Sequence, residues 1–135
     1  MLAEQIAAIA ISIILGGALF AGGLLAFRAS NLALAYTGAV QGGREIARSV
    51  MADVRESQSA VCGGSSLELD GGRVVYSYDG RRVLRSGVPF PYMVESVSFA
   101  CSPPEVSGEL VVVERRFGGW IRRRVSFAAS MRIVP

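Results

Sequence analysis

The chain carries an uninterrupted apolar stretch from Ile6 to Phe27, and no charged residue occurs within it. An α-helix rises about 1.5 Å per residue, so a stretch of this length spans a hydrocarbon core of roughly 30 Å. A helix that is apolar on every side does not suit the surface of a soluble domain. The charged residue just before the stretch is the acidic Glu4, whereas a cleaved secretory signal begins with basic residues. We therefore expect residues 1–27 to form a retained, single-pass membrane segment.

The helical pattern continues beyond the apolar stretch. Apolar residues recur at helical spacing among charged ones, which is typical of an amphipathic helix. We predict one helix of about 55 to 60 residues, roughly 85 Å long, within the N-terminal segment 1–61. Its second half would pack on another element through Val50, Val54 and Val61. The pair Gly63–Gly64 is the expected stop signal.

Residues 62–135 have the alternating pattern of antiparallel β-structure, with turn residues between the hydrophobic runs. The predicted strands are Leu67–Asp70, Val74–Tyr78, Arg81–Arg85, Met93–Phe99, Glu109–Arg116 and Ile121–Val134. The segment Phe117–Trp120 would be the tip of the last hairpin. We predict a meander of about six strands with one face packed on the second half of the helix. The predicted fold class is therefore α+β, a long N-terminal helix on a C-terminal antiparallel β-sheet head.

The chain has two cysteines, Cys62 at the predicted helix end and Cys101 after an apolar strand. Their separation does not suit a metal site, and the chain contains no histidine. A disulfide between them would close a loop of about 40 residues and stabilise the head by roughly 4 kcal/mol in the chain-entropy model. It would indicate an oxidising compartment or a hyperthermophilic source. The alternative is two free thiols that pack as small apolar side chains.

Charge and composition indicate no enzymatic chemistry. All 14 basic residues are arginine. The net charge of +3 is too small to indicate nucleic-acid binding by itself. The clusters Arg81–Arg82, Arg115–Arg116 and Arg122–Arg124 are interpreted as solvated faces of strands. Asp70 and Asp79 precede glycines and are interpreted as turn formers. We predict that the protein is not an enzyme and holds no metal or cofactor.

The order of these parts resembles the type IV pilin superfamily, which includes archaeal pilins and secretion-system pseudopilins. The resemblance covers the whole chain, and the stretches Val74–Gly80 and Val94–Phe99 are similar in style to pseudopilin heads. In this family a prepilin peptidase exposes a mature N-terminus, commonly with a glutamate at the fifth position, whereas the acid here is Glu4. The resemblance implies a chain that waits in the cell membrane and is assembled by pilus machinery into an extracellular filament.

In such a filament residues 1–27 would form the core. Four glycines would let neighbouring helices approach closely, although glycine is also common in membrane helices. They are Gly16, Gly17, Gly22 and Gly23. An ionised Glu4 in an apolar core costs several kcal/mol unless it is paired, and the available partner is the α-amino group of Met1 on an adjacent copy. The alternative is that Glu4 lies at the membrane surface.

Two classes of function remain open. The first is a structural subunit of an adhesive filament, with a secretion pseudopilus or a DNA-uptake fibre as variants of that class. The second is a monomeric, single-pass membrane-anchored binding module. Small residues in the apolar span favour the first class, as does the absence of a Pro- or Ser-rich linker after Phe27. The predicted partners are further copies of the chain, the membrane before assembly, the assembly machinery and the prepilin peptidase.

Overall fold

A long helix, α1, spans Leu2–Glu56 in the computed structural model, which describes residues 1–116 and 119–132. The chain divides into two compact units, Met1–Leu34 and Ala35–Pro135. The second half of α1 therefore belongs to the same unit as the strands. This division follows the change from apolar to amphipathic sequence, because only an amphipathic helix can bury one face and leave the other in water.

The helix ends at Glu56, so the predicted end at residue 61 is wrong. The physical reason is a side chain distant in sequence: Asp70 Oδ1 accepts hydrogen bonds from the backbone N–H groups of Gln58 (2.8 Å) and Ser59 (3.1 Å). These amides are thereby bound outside the helical ladder, and the chain turns into a strand. Val61, predicted to lie on the apolar stripe of the helix, is instead 66% exposed in that strand.

Two antiparallel sheets follow the helix, so the prediction of one meander of six strands is also wrong. The strands are β1 (Ala60–Cys62), β2 (Leu67–Leu69), β3 (Val74–Tyr78), β4 (Val83–Arg85), β5 (Val88–Pro89), β6 (Val94–Ser102), β7 (Glu105–Arg116) and β8 (Gly119–Ser130). β1 to β5 form one sheet in sequence order, and β6 to β8 form the other. Pro89 and Pro91 flank the break between the sheets, where missing N–H donors prevent the ladder from continuing.

Other predicted boundaries shift in smaller ways. Arg81–Arg82 lies in the turn before β4 and not in a strand. Asp79 forms this turn as predicted, because its Oδ1 accepts the N–H groups of both arginines. Within the predicted hairpin tip, Phe117 and Gly118 lie outside the described residues, as does the predicted end of the last strand at Ile133–Val134.

The core of the second unit joins α1 to both sheets, which confirms the predicted α+β fold class. Ile46, Val50 and Val54 of the helix are fully buried. From the sheets, Phe99 and Phe127 meet edge to face with ring centroids 6.1 Å apart. The core-facing side chains of the sheets include Leu67, Leu69, Tyr76, Val83, Val97, Phe99, Leu110 and Phe127. The second half of α1 is therefore part of the hydrophobic core.

Adjacent glycines in α1 allow this close approach. A Cβ atom at Gly42 would lie 2.6 Å from Cδ1 of Tyr92, and one at Gly43 would lie 2.5 Å from Cγ2 of Val125. Real Cβ atoms are not found this close to a neighbour. The β-branched Val125 has few rotamers into which it can retreat. The helix therefore approaches the sheet at a distance that only glycine permits.

We expect Gly43→Ala to lower the free energy of unfolding relative to Gly23→Ala by about 1–3 kcal/mol, the usual cost of overpacking. Gly23 is the matched control, because a Cβ there meets nothing within 4 Å. Both variants gain about 1 kcal/mol of helix propensity, so their difference isolates the contact with Val125. Denaturant unfolding of the full chain in detergent measures it. Equal stability of the two variants would contradict the close approach.

Candidate assembly surface

The unit Met1–Leu34 presents apolar side chains all round the helix. Its large side chains are exposed in the isolated chain, with values of 60–77% for Ile6, Ile13, Leu19, Phe20, Leu25 and Phe27. By length and composition α1 is able to cross a membrane, with a mean hydropathy of 2.3 over its most apolar 18-residue window. None of that window is buried inside the described part of the chain. Such a surface is compatible with a membrane anchor.

The four predicted assembly glycines lie in this unit and in open space. A Cβ at Gly16, Gly17, Gly22 or Gly23 would meet nothing within 4 Å. No contact inside the described chain therefore requires glycine at these positions, in contrast to Gly42–Gly43. Their backbone is accessible to a molecule that approaches from outside.

Glu4 lies in the first turn of α1, and both it and Met1 are exposed. A carboxylate in the first turn is stabilised by the positive end of the helix macrodipole. The structure brings no cationic side chain to Glu4 among residues 1–116 and 119–132. Glu4 is the only charged side chain before Arg28, so it is the one charged side chain of the segment 1–27.

The predicted disulfide is present. Cys62 in β1 and Cys101 in β6 are bonded, with their Cα atoms 5.7 Å apart. Close to this bridge, the N–H of Phe99 donates a hydrogen bond of 2.7 Å to the carbonyl oxygen of Gly64. The bridge connects the segment that leaves the helix to the second sheet. Disulfides persist in oxidising environments, so the head suits an extracellular location.

A buried ionic network, which the sequence analysis missed, joins α1 to the first sheet. Asp53 is 8% exposed and accepts hydrogen bonds from Arg85 through Nε at 2.8 Å and a terminal nitrogen at 3.0 Å. The hydroxyl of Tyr76 also donates to Asp53 and lies 2.8 Å from the hydroxyl of Ser49. Arg85 is the half-exposed end of the network, so water screens its charge in part.

The protonation of Asp53 reflects two opposing effects. Burial disfavours its charge, but the hydrogen bonds from Arg85 and Tyr76 and the positive charge of Arg85 hold its pKa below the ordinary value of 3.8. For Tyr76, burial and the hydrogen bond to Asp53 raise the pKa well above its usual range. Asp53 is therefore a carboxylate, and Tyr76 a neutral donor, at neutral pH.

The periodicity of the helix contained a signal for this network. Asp53 follows Val50 by one helical turn and precedes Val54, so an acidic residue interrupts the buried face. The identity of its partner had no such signal, because Arg85 is 32 residues away. Within residues 1–116 and 119–132, no group of three His, Cys, Asp or Glu side chains is arranged to hold a metal ion.

Comparisons of this chain with family models, with curated proteins and with solved structures give no match.

We expect Asp53→Asn to lower the free energy of unfolding by about 1–3 kcal/mol at pH 7, because the buried carboxylate and its charge-assisted hydrogen bonds with Arg85 are lost. The exposed Glu56→Gln is the matched control on the same helix. A lowered pKa stabilises the fold above the unfolded-state pKa, and this stabilisation is lost as pH falls through the folded-state value.

The difference between wild type and Asp53→Asn should therefore shrink below about pH 4. Denaturant unfolding at a series of pH values measures it. A difference that stays constant down to about pH 2 would contradict a structural role for the ionised carboxylate.

Proposed function

We propose that this chain is a structural, non-enzymatic subunit of an extracellular filament of the type IV pilus kind, which serves surface attachment. Copies would bury the segment 1–27 against one another in the filament core. The observation that carries the proposal is the fully exposed apolar surface of Met1–Leu34, in a chain whose second unit already has its own core.

The physics of transfer supports this role. In the bilayer the apolar segment is covered by lipid, and outside the bilayer it must be covered by other protein. Leaving apolar area in water costs roughly 25 cal/mol per Å². A filament core removes the same area from water, so a subunit can leave the membrane without that cost.

The glycines favour association with copies over solitary residence in lipid. Lipid tails are as apolar as leucine, so hydrophobicity alone does not bring membrane helices together. Small residues do so by letting backbones approach for van der Waals contact. The open positions of Gly16–Gly17 and Gly22–Gly23 suit such contacts. Such contacts require a second copy, which a monomeric membrane-anchored module lacks.

We expect electron microscopy of material sheared from expressing cells to show fibres built from this chain. Gly22→Leu should reduce fibre yield, because the added side chain keeps neighbouring helices apart. Ile13→Leu, which conserves apolar volume, is the matched control and should assemble normally. Both proteins should insert in the membrane. Detergent-soluble monomers without fibres under any assembly condition would overturn the proposal in favour of the anchored module.

We also expect Glu4→Ala and Glu4→Gln to reduce fibre yield while membrane insertion is unchanged. The reason is the proposed ion pair between Glu4 and the amino group of Met1 on an adjacent copy, which a neutral side chain cannot make. Glu4→Asp keeps the charge and should restore part of the yield. Quantifying sheared fibres against total membrane-inserted protein tests this. Wild-type yield for Glu4→Ala would place Glu4 at the membrane surface instead.

A further inference from the structure

A cavity of about 320 Å³ opens on the face of the second sheet that points away from the core. Val113 of β7 lies opposite Arg122 of β8, and Trp120 is two residues before Arg122, so all three share this face. Val113 is buried at 9% exposure, yet it is not part of the core cluster. It forms the apolar floor of the cavity, with Trp120 and Met93 beside it.

The walls combine an aromatic ring with a fixed ion pair. Trp120 is 53% exposed, and the guanidinium of Arg115 lies 5.4 Å from the centroid of its ring. Arg115 contacts the indole but does not line the cavity. Arg122 Nε is 2.9 Å from Oε2 of Glu95, and both side chains line the cavity. The cavity therefore offers a flat apolar surface together with hydrogen-bond donors and acceptors.

A second cavity, of about 500 Å³, shares Arg81 and Met93 with the first. Arg82 lines it as well. Asp79 also lines this cavity. Its Oδ1 accepts the backbone N–H groups of Arg81 (2.8 Å) and Arg82 (2.7 Å), and its negative charge interacts with the charge of Arg82. The guanidinium of Arg81 forms no ion pair within residues 1–116 and 119–132. The two cavities thus form a groove with an available cation, Arg81, beyond its aromatic end.

We propose that this groove binds an anionic saccharide, namely a pyranose chain that carries carboxylate groups. The apolar C–H face of a pyranose ring would lie on the indole of Trp120, and its hydroxyls would bond to Glu95 and Arg122. Arg81 would pair with a sugar carboxylate through a bidentate, charge-assisted hydrogen bond. Both cavities fall in the range of roughly 300–1,000 Å³ usual for sites of this kind.

The charges in the groove favour this ligand over others. A nucleic acid requires a row of unpaired cations along its phosphates, and the described residues of the groove present no such row, because Arg122 is paired with Glu95 and Arg82 interacts with Asp79. A sugar carboxylate needs only one cation, which Arg81 supplies. A neutral glycan would leave Arg81 without a partner. The biological role of this saccharide binding rests on the proposed attachment function. Saccharide binding is tested on unassembled protein, so it is measured independently of filament assembly. Binding can therefore be absent although filaments form, and it can be present although they do not.

The test uses the emission of Trp120, the only tryptophan of the chain, which reports on this groove alone. The full chain in detergent is titrated with short oligogalacturonates. We expect a saturable change in emission. Arg81→Gln should weaken binding about tenfold, the loss of one charge-assisted hydrogen bond. Arg81 contributes only backbone groups to its turn, so the fold should persist. The exposed Arg55→Gln is the matched control and should bind as wild type.

Two further ligands decide the chemical class. Malto-oligosaccharides, which are neutral, and polyglutamate, which is an anionic peptide, should each produce a weaker response than oligogalacturonate. Equal binding of the neutral sugar would overturn the role of Arg81, and equal binding of polyglutamate would overturn the saccharide. No response to oligogalacturonate, or an equal loss in Arg55→Gln and Arg81→Gln, would overturn the site.

Discussion

The apolar side chains of Met1–Leu34 are exposed in the isolated chain, and something other than water has to cover them. Burying one large aliphatic or aromatic side chain is worth about 1.5–3 kcal/mol, so the whole segment represents tens of kcal/mol. Lipid and other copies of the helix cover this apolar surface equally well, because both are apolar. Hydrophobicity therefore explains why the segment avoids water but does not select its neighbour. The selection depends on features that distinguish protein from lipid, which here are the open glycines and Glu4.

The second unit needs no external cover for its core, because its helix and sheets bury their apolar side chains against one another. Its helical half contributes Ile46, Val50 and Val54 to a core that both sheets complete. The disulfide and the Asp53 network then add links between these elements, the first between the two sheets and the second between the helix and the first sheet. In the proposed filament this independence would let the head keep its shape while the apolar segment passes from the membrane to the filament core.

Short-range patterns predicted the elements of this fold, and long-range contacts decided their limits. Hydropathy and helical periodicity predicted the helix and the change from an apolar to an amphipathic pattern along it. Alternation along the strand predicted that Val97 and Phe99 lie in the core. The end of the helix depends on Asp70, whose hydrogen bonds to Gln58 and Ser59 have no local signature. The partition into two sheets was missed for a similar reason, since alternation shows which side of a strand is buried but not which strand it pairs with.

The same limit applies to the candidate sites. The disulfide was predictable because two cysteines allow only one intramolecular pairing. The groove was not, because Arg81 lies in a turn between strands of the first sheet, Trp120 lies in β8 of the second, and the two meet only through tertiary structure.

The arginines illustrate how a uniform residue type acquires distinct roles. In the part of the chain that the structure describes, the arginines that form ion pairs with carboxylates include Arg73, Arg85, Arg122 and Arg124. Arg115 and Arg123 instead stack on aromatic rings at 5.4 and 5.6 Å. Lysine would serve poorly at the stacked positions, because its ammonium lacks the planar face of a guanidinium. Arg81 and Arg82 differ again, since Asp79 Oδ1 accepts their backbone N–H groups, so these two arginines bind the carboxylate through the main chain. Their side chains are not needed to hold that turn, and this is why the guanidinium of Arg81 is free to serve the proposed saccharide site.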